Sequence, residues 1–300
     1  MASVVRKRKP RHNIVIVKTN PKRFKANQIP LLLIILPIIV FMVLPLLYIF
    51  NQAFKPFDEL IQYPPRFFVQ RPTLDNFVEL FRTSSSTNIP VSRYLFNSII
   101  ITIIVVVLSV FLSSITGYAL SKMKFHIKKV IFEINTISLM FVGTAVAIPR
   151  YVIINSLGLI DTFFVNILPL IIVPVGLFLI KQFIDDIPNE LIEAAKMDGA
   201  NDFIIYLKII LPLIKPAIAT VAILSFQSVW NDTSTSATYV NSEELKTFAY
   251  YMSTLSTSSN AVAGKGMAAA ASLIMFMPNL IIFVFLQSRV MATMSHSGIK

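Results

Sequence analysis

Long apolar blocks alternate with polar connectors along the chain, and the blocks give the first reading. Crossing ~30 Å of hydrocarbon takes about 20 helical residues. Six stretches are apolar enough: Ile29–Phe50, Tyr94–Leu120, Val130–Ile148, Phe163–Ile180, Pro216–Trp230 and Ala268–Gln287. The fifth is short, so its start can reach back through Leu213. The pattern predicts an all-α, polytopic membrane protein with six transmembrane helices. The first block is about twice the length of a signal-peptide core, so it reads as a retained span. Pro37, Pro45, Pro169, Pro174 and Pro278 fall inside blocks, where neighbouring helices can satisfy the freed carbonyls. Glu133 lies near one end of the third block, where it can pair with Lys128 or Lys129. The connectors lack strand-like alternation and internal repeats, and Ser253–Asn260 reads as a solvated loop.

Composition agrees: 55% of the 300 residues are hydrophobic, only 14% are charged, and mean hydropathy is +0.71. A soluble chain needs about 25% charged residues. That excludes a soluble enzyme, a secreted disulfide scaffold and a disordered chain. The net charge is +12, and nine of the basic residues precede the first block with no acid among them. Such clusters beside spans set orientation, since Lys and Arg stay on the cytoplasmic side. With the N-terminus inside, 19 Lys and Arg fall on inner segments and 8 on outer ones. Both termini are therefore placed in the cytoplasm, and nucleic acid is not a predicted partner. There is no cysteine, and His12, His126 and His296 are not spaced as metal ligands. No metal site is predicted.

The connector between the fourth and fifth blocks, Asp185 to Lys215, is longer than a turn requires. Pro188 suits the first turn of a helix and Asp186 can cap its start. Gly199 can end that helix in the left-handed conformation. Asn201 or Asp202 can then cap a second helix through Ile210, with Pro212 as its stop. The expected product is a helix–turn–helix on the cytoplasmic face. Ala194 and Ala195 are small enough for another backbone to approach, and Glu190 and Glu193 share a helix face. Five acids lie between Asp185 and Asp198, with Asp202 as a sixth. Helices that rest on bilayers carry basic polar faces instead, so the loop points to a protein partner.

Glu193-Ala194-Ala195, Gly199, Ile209, Leu211 and Pro212 fit the EAA signature, E-A-A-x3-G-x9-I-x-L-P, at every fixed position. The chain thus resembles the permease subunits of bacterial ATP-binding-cassette importers, and most of all the shorter permease of maltose-type carbohydrate systems. Supporting stretches are Asn76-Phe77, Asn97-Ser98, Gly117-Tyr118-Ala119-Leu120, Ile148-Pro149, Asn155 through Thr162, Trp230-Asn231-Asp232, Gln287 and Ser297 through Lys300. The resemblance implies three parts: a basic cytoplasmic segment at 1–28, a transmembrane domain at 29–290 and a cytoplasmic tail at 291–300. It implies a coupling helix seated in an ATPase subunit, with Glu190, Glu193, Ala194, Ala195, Asp198, Gly199, Ile209, Leu211 and Pro212 as the coupling residues. The implied partners are a second homologous permease, two cytoplasmic ATPases, an extracellular solute-binding protein and a sugar. ATP and Mg would be held by the ATPases and no cofactor by this chain. The tail Met291–Lys300 would reach the ATPases, and a loop tip within Ser256–Gly264 would enter the binding protein.

The residues fit such a transport subunit. No G-x4-G-K-[ST] phosphate loop is present, and no catalytic acid–base pair is evident. The spans lack the mid-membrane charges of an ion-driven carrier, which makes a stand-alone secondary transporter the less favoured alternative. A scaffold that merely recruits an ATPase is a further alternative. Within the family the alternatives are a polyamine or glycerol phosphate permease. An anionic solute would call for Lys or Arg facing the cavity, and the spans have none, so a neutral solute is favoured. Sugar sites combine convergent hydrogen bonds with an aromatic face. Asn97, Asn135, Gln227 and Asn279 within spans, with Tyr118, Trp230 and Asn231 near span ends, are the pathway candidates. The competing role for each is a hydrogen bond between helices.

Overall fold

The computed structural model describes residues 29–82, 89–258 and 262–297. The basic N-terminal segment, the centre of the expected 256–264 tip and the last three residues therefore lie outside the described residues. Among those described, all regular structure is helical. The chain divides into two compact units, one ending at Leu47 and one running from Tyr48 onward. Helix α1 (Ile29–Phe54) begins in the first and ends in the second. It is apolar on all sides and its side chains are exposed almost throughout up to Phe50, as suits a helix solvated by lipid.

In the second unit, the end of α1 is fastened by a short helix pair, α2 (Phe57–Leu60) and α3 (Asp75–Arg82). Asn76 Nδ2 donates to the carbonyls of Ala53 at 2.9 Å and Lys55 at 2.7 Å, taking up free acceptors at the helix end. Helix α4 (Val91–Lys122) is the axis of the unit. It is followed by α5 (Lys128–Ser138) and α6 (Ala147–Ser156). The expected third span, Val130–Ile148, is thus not one helix. Thr136 and Ser138 hydroxyls bond back to the carbonyls of Phe132 and Asn135, which weakens a helix locally. Gly143, a poor helix former, lies in the turns that follow. Glu133 pairs with Lys129 at 3.8 Å, an exposed contact.

A 3-10 turn at Phe163–Asn166 leads into α7 (Leu168–Ile171) and α8 (Pro174–Asp185). The break at Ile172 and Val173 is extended (ψ 113° and 93°), because Pro174 forces the preceding residue out of the helical region. Next come α9 (Asn189–Met197), α10 (Asp202–Ile205), a π-helical stretch at Tyr206–Ile210 and α11 (Leu211–Leu213). The wide π turn accommodates Pro212, which does not stop the helix as expected; the stop comes at Ile214. Helix α12 (Lys215–Trp230) leaves at 80° to Asp202–Leu213. After α13 (Ser234–Tyr239), α14 (Phe248–Ser258) makes Ser253–Ser258 helical where a loop was expected. Helix α15 (Val262–Ser297) completes the described chain. Its extension through the 291–297 tail lengthens the sixth expected span at both ends.

Among the described residues, four helical stretches are long and apolar enough to cross a membrane: Ile29–Phe54, Val91–Lys122, Phe163–Asp185 and Gly264–Gln287. Counting the bent pair that ends in α12 as one span makes five. Packing centres on α4, against which α8 and α12 lie, with α15 against α12. Two apolar clusters mark the ends of α4. Val91 and Tyr94 pack with Trp230, Phe248, Tyr251 and Met275 at one end. Tyr118 packs with Ile180, Ile184, Ile192, Ile205, Tyr206 and Ile214 at the other.

Candidate functional site

The helix–turn–helix at Asp185–Lys215 forms from its own punctuation. Pro188 takes the N-cap position of α9 with extended ψ 138°. Asp186 does not cap α9; it closes α8, its amide bonded to Gln182. At the far end Gly199 adopts φ +81°. Its amide donates to the Lys196 carbonyl at 3.0 Å, and that of Ala200 donates to Ala195 at 3.0 Å. This pair of bonds is a Schellman turn, whose left-handed residue is best supplied by glycine. Asn201 then caps the second helix, its Oδ1 accepting from the Ile204 amide at 2.8 Å. Lys196 and Asp202 pair across the turn at 3.0 Å.

The turn divides α9 into two faces. Ile192 and Ala195 are buried among Ile205, Tyr206 and Ile210. Glu190, Leu191, Glu193, Ala194 and Asp198 are exposed, and Met197 is 88% exposed. Of the two alanines expected to admit a partner, only Ala194 faces outward. Ala195 serves the chain's own packing, because helical spacing puts it on the face of Ile192. Ile209 and Leu211 likewise pack against the chain's own core, whereas Pro212 is exposed. The open face therefore carries three carboxylates beside small and flexible apolar groups.

The seven pathway candidates do not form one site. Asn231 Nδ2 donates to the Gln227 carbonyl at 2.9 Å, and Asn279 Nδ2 reaches Asn231 Oδ1 at 3.4 Å. Trp230, one residue away, is buried and donates through Nε1 to the Met275 carbonyl at 3.0 Å. Gln227 and Asn231 themselves are exposed. These four residues form a polar cluster where α12 meets α15. The other three are elsewhere. Asn97 is 1% exposed and donates to the carbonyls of Glu244 at 2.8 Å and Lys246 at 3.0 Å. Asn135 Nδ2 donates to Pro174 O at 3.2 Å, serving a carbonyl at the α7–α8 break. Tyr118 is buried beside Tyr206, with its hydroxyl 3.5 Å from Asp202 Oδ1.

Asn97 belongs to a set of clamps on the segment after α13. Asn166 Nδ2 donates to Leu245 O at 3.2 Å, and Ser98 Oγ accepts the Phe248 amide at 2.8 Å. Asp161, at φ +57°, accepts the amides of Asn241 at 2.9 Å and Ser242 at 2.7 Å. The bonds from Ser242 hold its carboxyl below the usual aspartate range. Burial works against the Lys246 ammonium, but its hydrogen bond to Glu243 at 2.6 Å prevails and lifts its pKa. Sequence reasoning missed these partners because they are some 80 to 150 positions away. The Asn97-Ser98 and Asn155–Thr162 stretches are the signals in the sequence that fall on these clamps.

Residues 29–289 match the family of binding-protein-dependent transport system inner membrane components, and the chain belongs to that family. It is therefore a transport component that resides in a membrane. An arabinooligosaccharide transport system permease protein, AraQ of Halalkalibacterium halodurans, is 31% identical over 260 residues, covering 86% of this chain and 91% of the relative. The trehalose transport system permease protein SugB of Mycobacterium tuberculosis is 28% identical over 88% of this chain and 94% of its own length. Among solved structures, a chain of a bacterial importer of the acidic polysaccharide alginate superposes with TM-score 0.77 at 21% identity. That alignment spans 90% of this chain and 99% of the other, and it carries the likeness of fold.

Proposed function

We propose that the chain is the permease subunit of an ATP-binding-cassette importer that moves a neutral oligosaccharide by alternating access. ATP hydrolysis takes place in partner ATPases, which hold ATP and Mg, and this chain performs no chemistry of its own. The observation that carries the reading is the exposed face of α9, with Glu190, Glu193, Ala194 and Met197 held outward by the Gly199 turn. That face docks into an ATPase. A second homologous permease and an extracellular solute-binding protein complete the assembly, and the carbohydrate cargoes named for the relatives support the sugar.

Six crossings are the topology proposed, and which ends touch supports it. Asp185 and Asn189 meet Ser121 and Lys122 at one end of α4. Asn166, at the start of the Phe163–Asp185 span, meets Leu245 beside Asn97 near the other end. A chain that leaves α4 at Lys122 and re-crosses from Phe163 must traverse the membrane in between. Lys128–Ser156 is accordingly a broken third span. The excess of Lys and Arg puts α9 and both termini in the cytoplasm.

Gentle purification from the native membrane, followed by mass spectrometry, tests the class. An ATPase, a second permease and a binding protein are expected to come with the chain. Screening that binding protein against oligosaccharides then identifies the cargo. Recovery of the chain alone, active in proteoliposomes without ATP, would refute the importer reading.

A further inference from the structure

One face of α4 carries polar side chains that reach both flanks of α9. Ser114, Tyr118, Ser121 and Lys122 recur at the three- and four-residue spacing that aligns side chains on a helix. Ser121 Oγ donates to Asp185 Oδ1 at 2.5 Å. Lys122 Nζ donates to the Ile187 carbonyl at 2.6 Å and to Asn189 Oδ1 at 2.9 Å. These three partners lie just before α9 or at its first residue. Beyond the turn, Tyr118 approaches Asp202 at 3.5 Å, and the Ser114 and Tyr206 hydroxyls are 2.7 Å apart. Lys181 braces Asp185 at 2.6 Å, and Lys128 Nζ donates to the Ser121 carbonyl at 2.8 Å. Gly117 lets α4 and α8 approach beneath this face, since a Cβ there would lie 2.8 Å from Ile180 Cγ2.

A helix tied at one point can pivot about it. Ties before and after the Gly199 turn, over a shared apolar cluster, remove that freedom. We propose that α4 is the span that α9 drives, with Ser114, Tyr118, Ser121 and Lys122 as positioning residues that make α9 and the Lys122 end of α4 one rigid body. The inference rests on the coupling role proposed above and names the route by which the stroke reaches the membrane. It also gives Tyr118 a place in coupling instead of in the sugar pathway.

The absence of native cysteine makes the joint directly testable. Ser121→Cys with Asp185→Cys places the chain's two thiols across it. In the full complex reconstituted with its binding protein, bridging them with a short thiol reagent is expected to leave oligosaccharide uptake and ATP hydrolysis no lower than in the same double variant before bridging. Loss of uptake on bridging, restored by cleaving the reagent, would show that the joint opens during the cycle and would overturn the proposal. Lys122→Met is expected to keep ATPase activity while sugar moved per ATP falls about tenfold, the scale of one lost charge-assisted hydrogen bond. Lys122→Arg should restore the ratio. A parallel fall in both activities, or no change where Glu193→Ala uncouples, would also overturn it. If Glu193→Ala itself leaves uptake and hydrolysis intact, it is the coupling role of α9 that fails. Should Lys122→Met not assemble, the crosslink result decides.

Discussion

A single backbone angle sets where α9 points. Gly199 holds φ +81°, where an L-residue carries a penalty of about 1–2 kcal/mol. Open space surrounds the position of a Cβ there, so the strain is conformational, not steric. Gly199→Ala is therefore expected to lower the thermal midpoint modestly and to cut uptake per ATP, with Gly199→Asn milder on both measures. Equal behaviour of the two variants would contradict this. Asp161 sets a second local geometry. Its carboxyl pKa is depressed by the Ser242 amide and hydroxyl. A depressed folded pKa contributes stability above the unfolded value of about 3.9 and loses it as pH falls through the folded value. The hydrogen-exchange protection of the Ser242 amide should therefore drop on acidification below about pH 4. Asp161→Asn should show low protection at every pH, and a pH-independent wild type would refute the clamp.

At the scale of elements, α9 separates two kinds of alanine. Ala194→Leu adds bulk on the open face, so the fold should persist while ATPase-coupled uptake falls. Ala195→Leu overpacks the cluster of Ile192 and Ile205, at a cost of about 1–3 kcal/mol. A lower melting temperature for the second variant and an unchanged one for the first are expected; the reverse order would refute the assignment of faces. The two alanines look alike in sequence, and only the register of α9 distinguishes them. Local punctuation was legible: Pro188, Gly199 and Asn201 act within a few residues of themselves, and each marks a boundary. The Val130–Ile148 helix and the shared site for seven pathway residues were not. Apolar content cannot show that Thr136 and Ser138 turn their hydroxyls inward. Nor can it show that Asn97 is occupied by carbonyls some 150 positions away.

For the whole molecule, the proposed topology states which parts share a side. His126 and Asn241 are both exposed, one beyond the Lys122 end of α4 and the other held by Asp161. In intact cells an impermeant maleimide should label Asn241→Cys at once and His126→Cys only after permeabilisation. The reverse order would invert the orientation, and equal labelling would deny that α4 crosses the membrane. The 80° bend at Ile214 has a mechanical consequence. Asp202–Leu213 and α12 are two stiff arms of about 18 and 24 Å at 1.5 Å per residue, meeting at a joint where Ile214 is 1% exposed. Together they form a bell crank. A shove along the first arm's plane emerges at Trp230 turned through nearly a right angle and enlarged by about one third. Under the coupling role proposed above, a shift of a few ångströms at the first arm would arrive undiminished at the polar cluster of Gln227, Asn231 and Asn279.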